Sequence, residues 1–181
     1  MNKMKYKTKM KVPVEVSARH VHLSREDCDI LFGKDYQIEK FKDVSQPGQF
    51  ASVETLKLVG PKKSIDNVRI IAPVRNETQL EISMTDAYTL GIKMPKVLAS
   101  GDLANASGGI QVVGPQGKIN IEKGIIVSQR HLHIEPELAE KENLKHGDIV
   151  SIFIDGGRSI VFNNVLVRSR EGKDKLSFQI D

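Results

Sequence analysis

A chain of 181 residues, 39% of them apolar, is long enough to bury one or two cores. Its one cysteine, Cys28, excludes an internal disulfide and a thiolate metal cluster, and no apolar run approaches the roughly 20 residues that cross a bilayer. The net charge of +4 is local to the start: of 27 basic residues, the 5 lysines at Lys3, Lys5, Lys7, Lys9 and Lys11 leave 22 against 23 acidic ones, so the body carries no basic footprint for nucleic acid.

Those lysines alternate with Met4, Tyr6, Thr8, Met10 and Val12, a period of two that predicts a strand with one solvated face. No apolar core of the signal-peptide kind precedes it, and the expected location is the cytoplasm. Val12 to Ser17 predicts a strand that runs into Arg19-His20-Val21-His22. Ser24 then has the chemistry of a helix N-cap, with Glu26, Asp27 and Asp29 in the first turn and Gly33 as the stop; Cys28 inside that helix reads as a small, semi-buried packing residue. Ser45-Gln46-Pro47-Gly48 predicts a turn, and a strand period follows from Val53 to Val59. Glu77 to Ile82 predicts a further strand. A second short helix is expected from Thr85 or Asp86 to Gly91, and the Gly-, Ser- and Asn-rich stretch Ser100 to Gly109 is expected to be a loop. Arg130-His131-Leu132-His133 comes next, then a third short helix opened by Glu135-Pro136-Glu137. His146 falls in a polar turn and is expected to be exposed. Val150 to Ile154, Asp155-Gly156-Gly157 and Ser159 to Phe162 form a hairpin pattern. Many short strands with few short helices predict a mainly β barrel or sandwich architecture.

The two Arg-His-x-His segments hold four of the five histidines. In a strand, side chains at i and i+2 share a face, so each segment aims two imidazoles at one spot, which is half a metal site. The preceding arginine adds a fixed positive charge suited to phosphate or carboxylate. A catalytic zinc needs a third protein ligand beside two imidazoles and keeps one position open. Glu81 is the candidate; alone, it would read as an exposed strand carboxylate.

Two internal echoes accompany the paired motif. Leu58-Val59-Gly60-Pro61 recurs as Val112-Val113-Gly114-Pro115, which by counting forward sets Arg75 against Arg130 within one residue. Asn67-Val68-Arg69-Ile70 recurs as Asn164-Val165-Leu166-Val167, which sets Glu81 against Gln179.

The chain resembles a known family through Val16-Ser-Ala-Arg-His-Val-His-Leu-Ser24, Asp43-Val-Ser-Gln-Pro-Gly-Gln-Phe50, Pro73-Val-Arg75, Glu81-Ile-Ser83, Thr85-Asp-Ala87, Leu90-Gly91, Ser100-Gly-Asp-Leu103, Arg130-His-Leu-His133 and Asn163-Asn-Val-Leu-Val-Arg168. These stretches, in this order over nearly the whole length, are similar to the PduL-type phosphotransacylases, the phosphate propanoyltransferases of propanediol utilisation. The resemblance implies a mainly β fold of two β-barrel domains with short capping helices and the active site in the cleft between them. One domain would be residues 1–18 plus 128–181 and the other 19–127. It implies interconversion of acyl-CoA plus phosphate with acyl phosphate plus coenzyme A, on a short acyl chain such as acetyl or propanoyl. It implies two Zn2+ ions, the first held by His20, His22 and Glu81 and the second by His131 and His133, with Arg75 as the catalytic arginine.

Two departures from the family pattern qualify those expectations. Where members usually carry a histidine for the second zinc, this chain has Gln179 in Phe178-Gln179-Ile180-Asp181, and it ends where members usually continue. Full occupancy is therefore expected at the first site and partial occupancy at the second. The lysine-alternating start does not have the pattern of an amphipathic targeting helix, which favours a free cytoplasmic enzyme over one packaged in a bacterial microcompartment. A homodimer is the expected assembly, with no nucleic-acid or membrane partner. The same residues would also serve a dinuclear metallohydrolase that activates water, or a non-catalytic zinc-stabilised binding module.

Overall fold

The computed structural model describes residues 10–180. Most of the strand expected over the alternating lysines, Lys3 to Lys9, lies outside the described residues; Met10 and Val12 pack as irregular chain against the smaller of two cores. In chain order the elements are β1 (Val14–Val16), β2 (His20–His22), α1 (Arg25–Phe32), β3 (Lys40–Asp43), β4 (Phe50–Val59), β5 (Ser64–Ala72), β6 (Gln79–Glu81), α2 (Met84–Leu90), β7 (Val97–Leu98), β8 (Ile110–Val113), β9 (Lys118–Ile121), β10 (Ile125–Ser128), β11 (His131–His133), α3 (Pro136–Lys141), β12 (Ile149–Ile154), β13 (Ile160–Arg168) and β14 (Ser177–Ile180). The chain is mainly β with few short helices, as its composition and turn signals led one to expect. It divides into two compact units. One comprises Ser17–Gln129; the other joins the residues up to Val16 to Arg130–Ile180.

The larger unit holds a sheet in the order β7-β10-β6-β2-β5-β4-β8-β9, with β3 on the side of β4. Its core gathers Val21, Leu56, Leu58, Val68, Ile70, Leu80 and Ile125 from the strands, with Leu31, Phe32, Ala87 and Leu90 from the helices. Both helices are locally encoded. The Ser24 hydroxyl accepts from the Asp27 amide at 3.1 Å, and Glu26 and Asp27 sit at the positive end of the α1 dipole. In α2, Ser83 and Asp86 form a reciprocal capping box, and Gly91 closes the helix in the left-handed region. The Cys28 thiol is fully buried in this core rather than half-buried.

The smaller unit holds a sheet in the order β1-β14-β11-β13-β12 around Leu132, Ile134, Val165, Val167 and Phe178. Phe162 meets Phe178 edge-on, with centroids 5.4 Å apart. Its helix, α3, starts with Pro136 and has no side-chain cap at Glu135; instead a Glu135 carboxylate oxygen accepts from the Leu176 amide.

The five strands of this sheet repeat five strands of the larger one. The pairings β1–β14 and β10–β6 are parallel, β14–β11 and β6–β2 antiparallel, β11–β13 and β2–β5 parallel, and β13–β12 and β5–β4 antiparallel. Register carries the correspondence to single residues. His20 lies opposite Glu81 and Arg69; His131 lies opposite Gln179 and Leu166. Asn67 and Asn164 both have a φ of 58° and both sit where register shifts in their hairpins. A β-bulge residue in the left-handed region is tolerated by asparagine far better than by most side chains, which explains the second sequence echo.

The first echo has another origin. Leu58 and Val112 are partners on the adjacent strands β4 and β8, so the two Gly-Pro turns belong to one sheet. Each turn presses a glycine on a helix end: a Cβ would come within 2.3 Å of the Leu90 carbonyl at Gly60 and 2.6 Å of the Leu31 carbonyl at Gly114. The duplication therefore sets Arg130 against Arg19, the residue before the other imidazole pair, and not against Arg75.

Candidate functional site

β2 is three residues long, and its central Val21 is a core residue, so His20 and His22 emerge together on the opposite face. β6 pairs antiparallel beside it and places Glu81 directly opposite His20. His20 Nδ1 lies 2.8 Å from the Ala18 carbonyl and His22 Nδ1 lies 2.9 Å from the Ile71 carbonyl. A carbonyl only accepts, so each Nδ1 carries a proton and each ring turns its Nε2 toward the other. The two Nε2 atoms stand 3.1 Å apart, with Glu81 Oε1 at 3.7 Å from one and 3.8 Å from the other. Donors held 2.0–2.1 Å from a tetrahedral zinc are roughly 3.3 Å apart. Among the described residues this is the one group of three imidazole, thiol or carboxylate ligands that converge on a point. The donor set fits a zinc of the two-imidazole, one-carboxylate kind.

The protonation states suit a metal. Burial first, then the positive charges at His20 and Arg75, hold His22 well below the ordinary imidazole value, at about 3. Burial works against an ionised Glu81, but His20, His22 and the hydroxyls of Ser100 and Ser128 prevail and keep its carboxyl below the usual range. At neutral pH the site therefore offers an ionised carboxylate and an unprotonated His22. Buried Gln79 locks the carboxylate in place: its amide nitrogen donates to Glu81 at 2.6 Å and to Ser100 Oγ at 3.0 Å, and its oxygen accepts from the Gly101 amide at 2.7 Å.

Arg75 follows β5. Its backbone amide donates to the Leu23 carbonyl at 2.8 Å, pinning it beside the strand that carries the histidines, and its charge is felt at His22. The arginines preceding the imidazole pairs are engaged otherwise. Arg19 is bound at 2.8 Å to Asp86, the α2 capping residue, and Arg130 lies over the Phe162 ring at 5.3 Å. Of the phosphate or carboxylate that the motif suggests as a partner, Arg19 takes a carboxylate.

In the smaller unit β11 presents His131 and His133 in the same way, with ring centroids 4.7 Å apart against 4.8 Å for His20 and His22. His133 Nδ1 donates to Asp174 Oδ1 at 2.6 Å, which leaves Nε2 free in the manner of a carboxylate-held metal ligand. Asp174 is in turn clamped by Arg170 through two hydrogen bonds of 2.9 and 2.8 Å. Burial would raise the Asp174 carboxyl, but Arg170 and His133 hold it at about 2; burial and the charge of His131 lower His133 to about 4. Gln179 occupies the register position that Glu81 has in the larger unit, and its amide nitrogen donates to Glu15 at 2.7 Å.

Sequence reasoning assigned no role to Gln79, Ser128, Asp174, Arg170 or Glu15. Gln79 had a signal, since it lies two residues before Glu81 and so shares its strand face. Exposed His146 accepts from the Ser169 amide and takes part in neither group. No helix among the described residues is long and apolar enough to cross a membrane.

A family model described as phosphate propanoyltransferase matches residues 13–181. A phosphate propanoyltransferase of Thermotoga maritima is 48% identical over 169 residues, 93% of this chain and 79% of its own length. One of Alkaliphilus metalliredigens is 49% identical over 172 residues, covering 95% of this chain and 80% of the relative. One of Rhodobacter capsulatus is 49% identical over 160 residues, 88% of this chain and 74% of the relative.

Proposed function

The chain belongs to the phosphate propanoyltransferase family and is a phosphate acyltransferase, and from that premise we propose that it is zinc-dependent and transfers the acyl group directly to phosphate. The substrates are an acyl-CoA and phosphate. A phosphate oxygen bonds to the thioester carbonyl carbon, the carbon–sulfur bond breaks, and coenzyme A leaves as its thiol with the proton given up by phosphate.

The observation that carries the metal reading is the convergence of His20 Nε2, His22 Nε2 and Glu81 Oε1 within 3.8 Å of one another. Bound zinc supplies a Lewis acid that polarises the thioester carbonyl and steadies the departing thiolate. His22 enters that role unprotonated, and Gln79 keeps the Glu81 oxygen aimed at the same point. Arg75 supplies a permanent, planar cation that can hold phosphate through two parallel hydrogen bonds, converting an encounter into an oriented attack. His131 and His133 would hold a second metal in the smaller unit. No acyl-enzyme is needed: the one thiol, Cys28, is fully buried and its pKa is raised, chiefly by burial.

Release of coenzyme A from acetyl-CoA and propanoyl-CoA tests this, run with and without phosphate and with a chelator. Release that depends on phosphate, stops with chelator and gives intersecting initial-rate lines is expected. Parallel lines would overturn direct transfer, and release without phosphate would identify a hydrolase. Arg75→Ala should lower kcat/KM by about 100- to 1,000-fold, the usual cost of removing a charge from the transition state, with zinc content unchanged.

A further inference from the structure

The duplication places a neutral amide, Gln179, where the first site has the carboxylate Glu81, yet the smaller sheet has not lost its carboxylate. Glu15 on β1 is the direct parallel partner of Gln179 on β14, and Gln179 is the direct antiparallel partner of His131 on β11. Directly paired residues project from the same face of a sheet, so Glu15, Gln179, His131 and, two residues on, His133 share one face. The matching row in the larger sheet runs Ile126, Glu81, His20. Glu15 thus replaces a fully buried isoleucine, and the carboxylate has moved one strand outward.

Both sheets contain an amide-to-carboxylate hydrogen bond on this face, with the roles exchanged. In the larger unit Gln79 donates to Glu81 at 2.6 Å, and it is the carboxylate that faces the imidazoles. In the smaller unit Gln179 donates to Glu15 at 2.7 Å. A carboxylate can only accept, so this contact fixes which end of the Gln179 amide is nitrogen and turns its oxygen away from Glu15. A negative charge on the N–H side also polarises the amide and strengthens its oxygen as a metal ligand. Neither Glu15 nor Asp174 joins His131 and His133 in a converging group of three.

We propose that the Gln179 amide oxygen completes the second metal site with His131 and His133, and that Glu15 is the positioning residue that orients and polarises that amide. The inference rests on the zinc-dependent reading above and concerns how one of its two sites is built. The site takes a divalent cation on two imidazoles and a neutral oxygen, so it binds zinc more weakly than the first.

The test is zinc titration of the metal-free, full-length protein against a chromophoric chelator, with thermal melting of each metal-free variant as a folding control. The wild type is expected to bind one tight and one weaker equivalent. Glu15→Gln should weaken the second class about 10- to 100-fold, as loss of a group that orients a metal ligand does, without changing the first class or the metal-free melting temperature. In a Gln179→Ala background, adding Glu15→Gln should weaken it no further. The exchanged pair, Glu15→Gln with Gln179→Glu, puts a carboxylate at the register position of Glu81 with an amide beside it, and should bind the second zinc at least as tightly as the wild type. An unchanged second class in Glu15→Gln overturns the proposal. So does an undiminished effect of Glu15→Gln on top of Gln179→Ala, and so does a wild type that binds one equivalent only. A wild type that binds no zinc overturns the zinc reading as well.

Discussion

Two copies of one five-strand pattern carry two imidazole pairs of nearly identical geometry, and they are completed differently. Around β2, every donor is anchored within the sheet or its adjoining loop: Ile71 holds His22, and Gln79 holds Glu81. Around β11, the anchors are charged and come from far along the chain: Asp174 holds His133, and Glu15 holds Gln179. The contrast shows that the pair of histidines is the conserved geometric core of the duplication, while its electrostatics are set by residues the repeat does not share. The first group has its negative charge on a would-be ligand; the second has it behind the imidazole and the amide, in carboxylates that touch those side chains.

The largest expected effect comes from removing one imidazole from each copy. His22→Ala leaves the first group with two donors and should abolish measurable coenzyme A release, about 1,000-fold or more, together with the tight zinc equivalent. His133→Ala should remove only the weaker equivalent. Metal analysis and activity on the same samples read both. Loss of the tight equivalent in His133→Ala, with the weaker one spared, would invert the ranking of the two sites.

An intermediate effect isolates the anchor from the ligand. Asp174→Asn keeps the size of the side chain but removes the charge that fixes the His133 tautomer and pairs with Arg170. Zinc affinity at the second site should fall by about 10- to 100-fold while the first is untouched. Equal weakening at both sites would mean that the two groups are not independently anchored.

How these differences relate to the sequence depends on distance along the chain. α1 was legible because its cap, its acidic first turn and its terminal glycine are contiguous in Ser24–Gly33, and the two imidazole pairs were legible because i, i+2 spacing fixes a strand face. The match of Glu81 with Gln179 was legible through the bulge asparagines, each a local backbone requirement. Asp174 was not: it reaches His133 across 41 positions, and Glu15 reaches Gln179 across 164, because topology rather than spacing brings β1 beside β14. The carboxylate that Arg19 binds was hidden for the same reason, since Asp86 lies 67 positions away. The Gly-Pro echo misled because two neighbouring hairpins solve the same packing problem against a helix end, which imitates a domain-scale repeat.

The smallest expected effect is on acid stability, and it separates the two copies by the pH range in which each histidine acts. In the metal-free protein His22 is lowered to about 3 and His133 to about 4, from an ordinary value of 6.5. Between the folded and ordinary values the unfolded chain binds more protons than the folded one, so stability falls as pH falls, and above about 6.5 neither histidine contributes a slope. His133 acts from 6.5 down to about 4, and His22 continues to about 3. Asp174 has the opposite chemistry and the same direction: its carboxyl is depressed from 3.8 to about 2, so the stability it contributes is present above 3.8 and lost as pH drops through that range. Urea midpoints measured from pH 7 to pH 3 should therefore decline below 6.5 in the wild type. The decline should be shallower in both His22→Gln and His133→Gln between 6.5 and 4, and below pH 4 only His22→Gln should remain shallower than the wild type. A slope unchanged by either substitution would mean that His22 and His133 are protonated in the folded, metal-free protein, and the lone pair assigned to each would then be wrong.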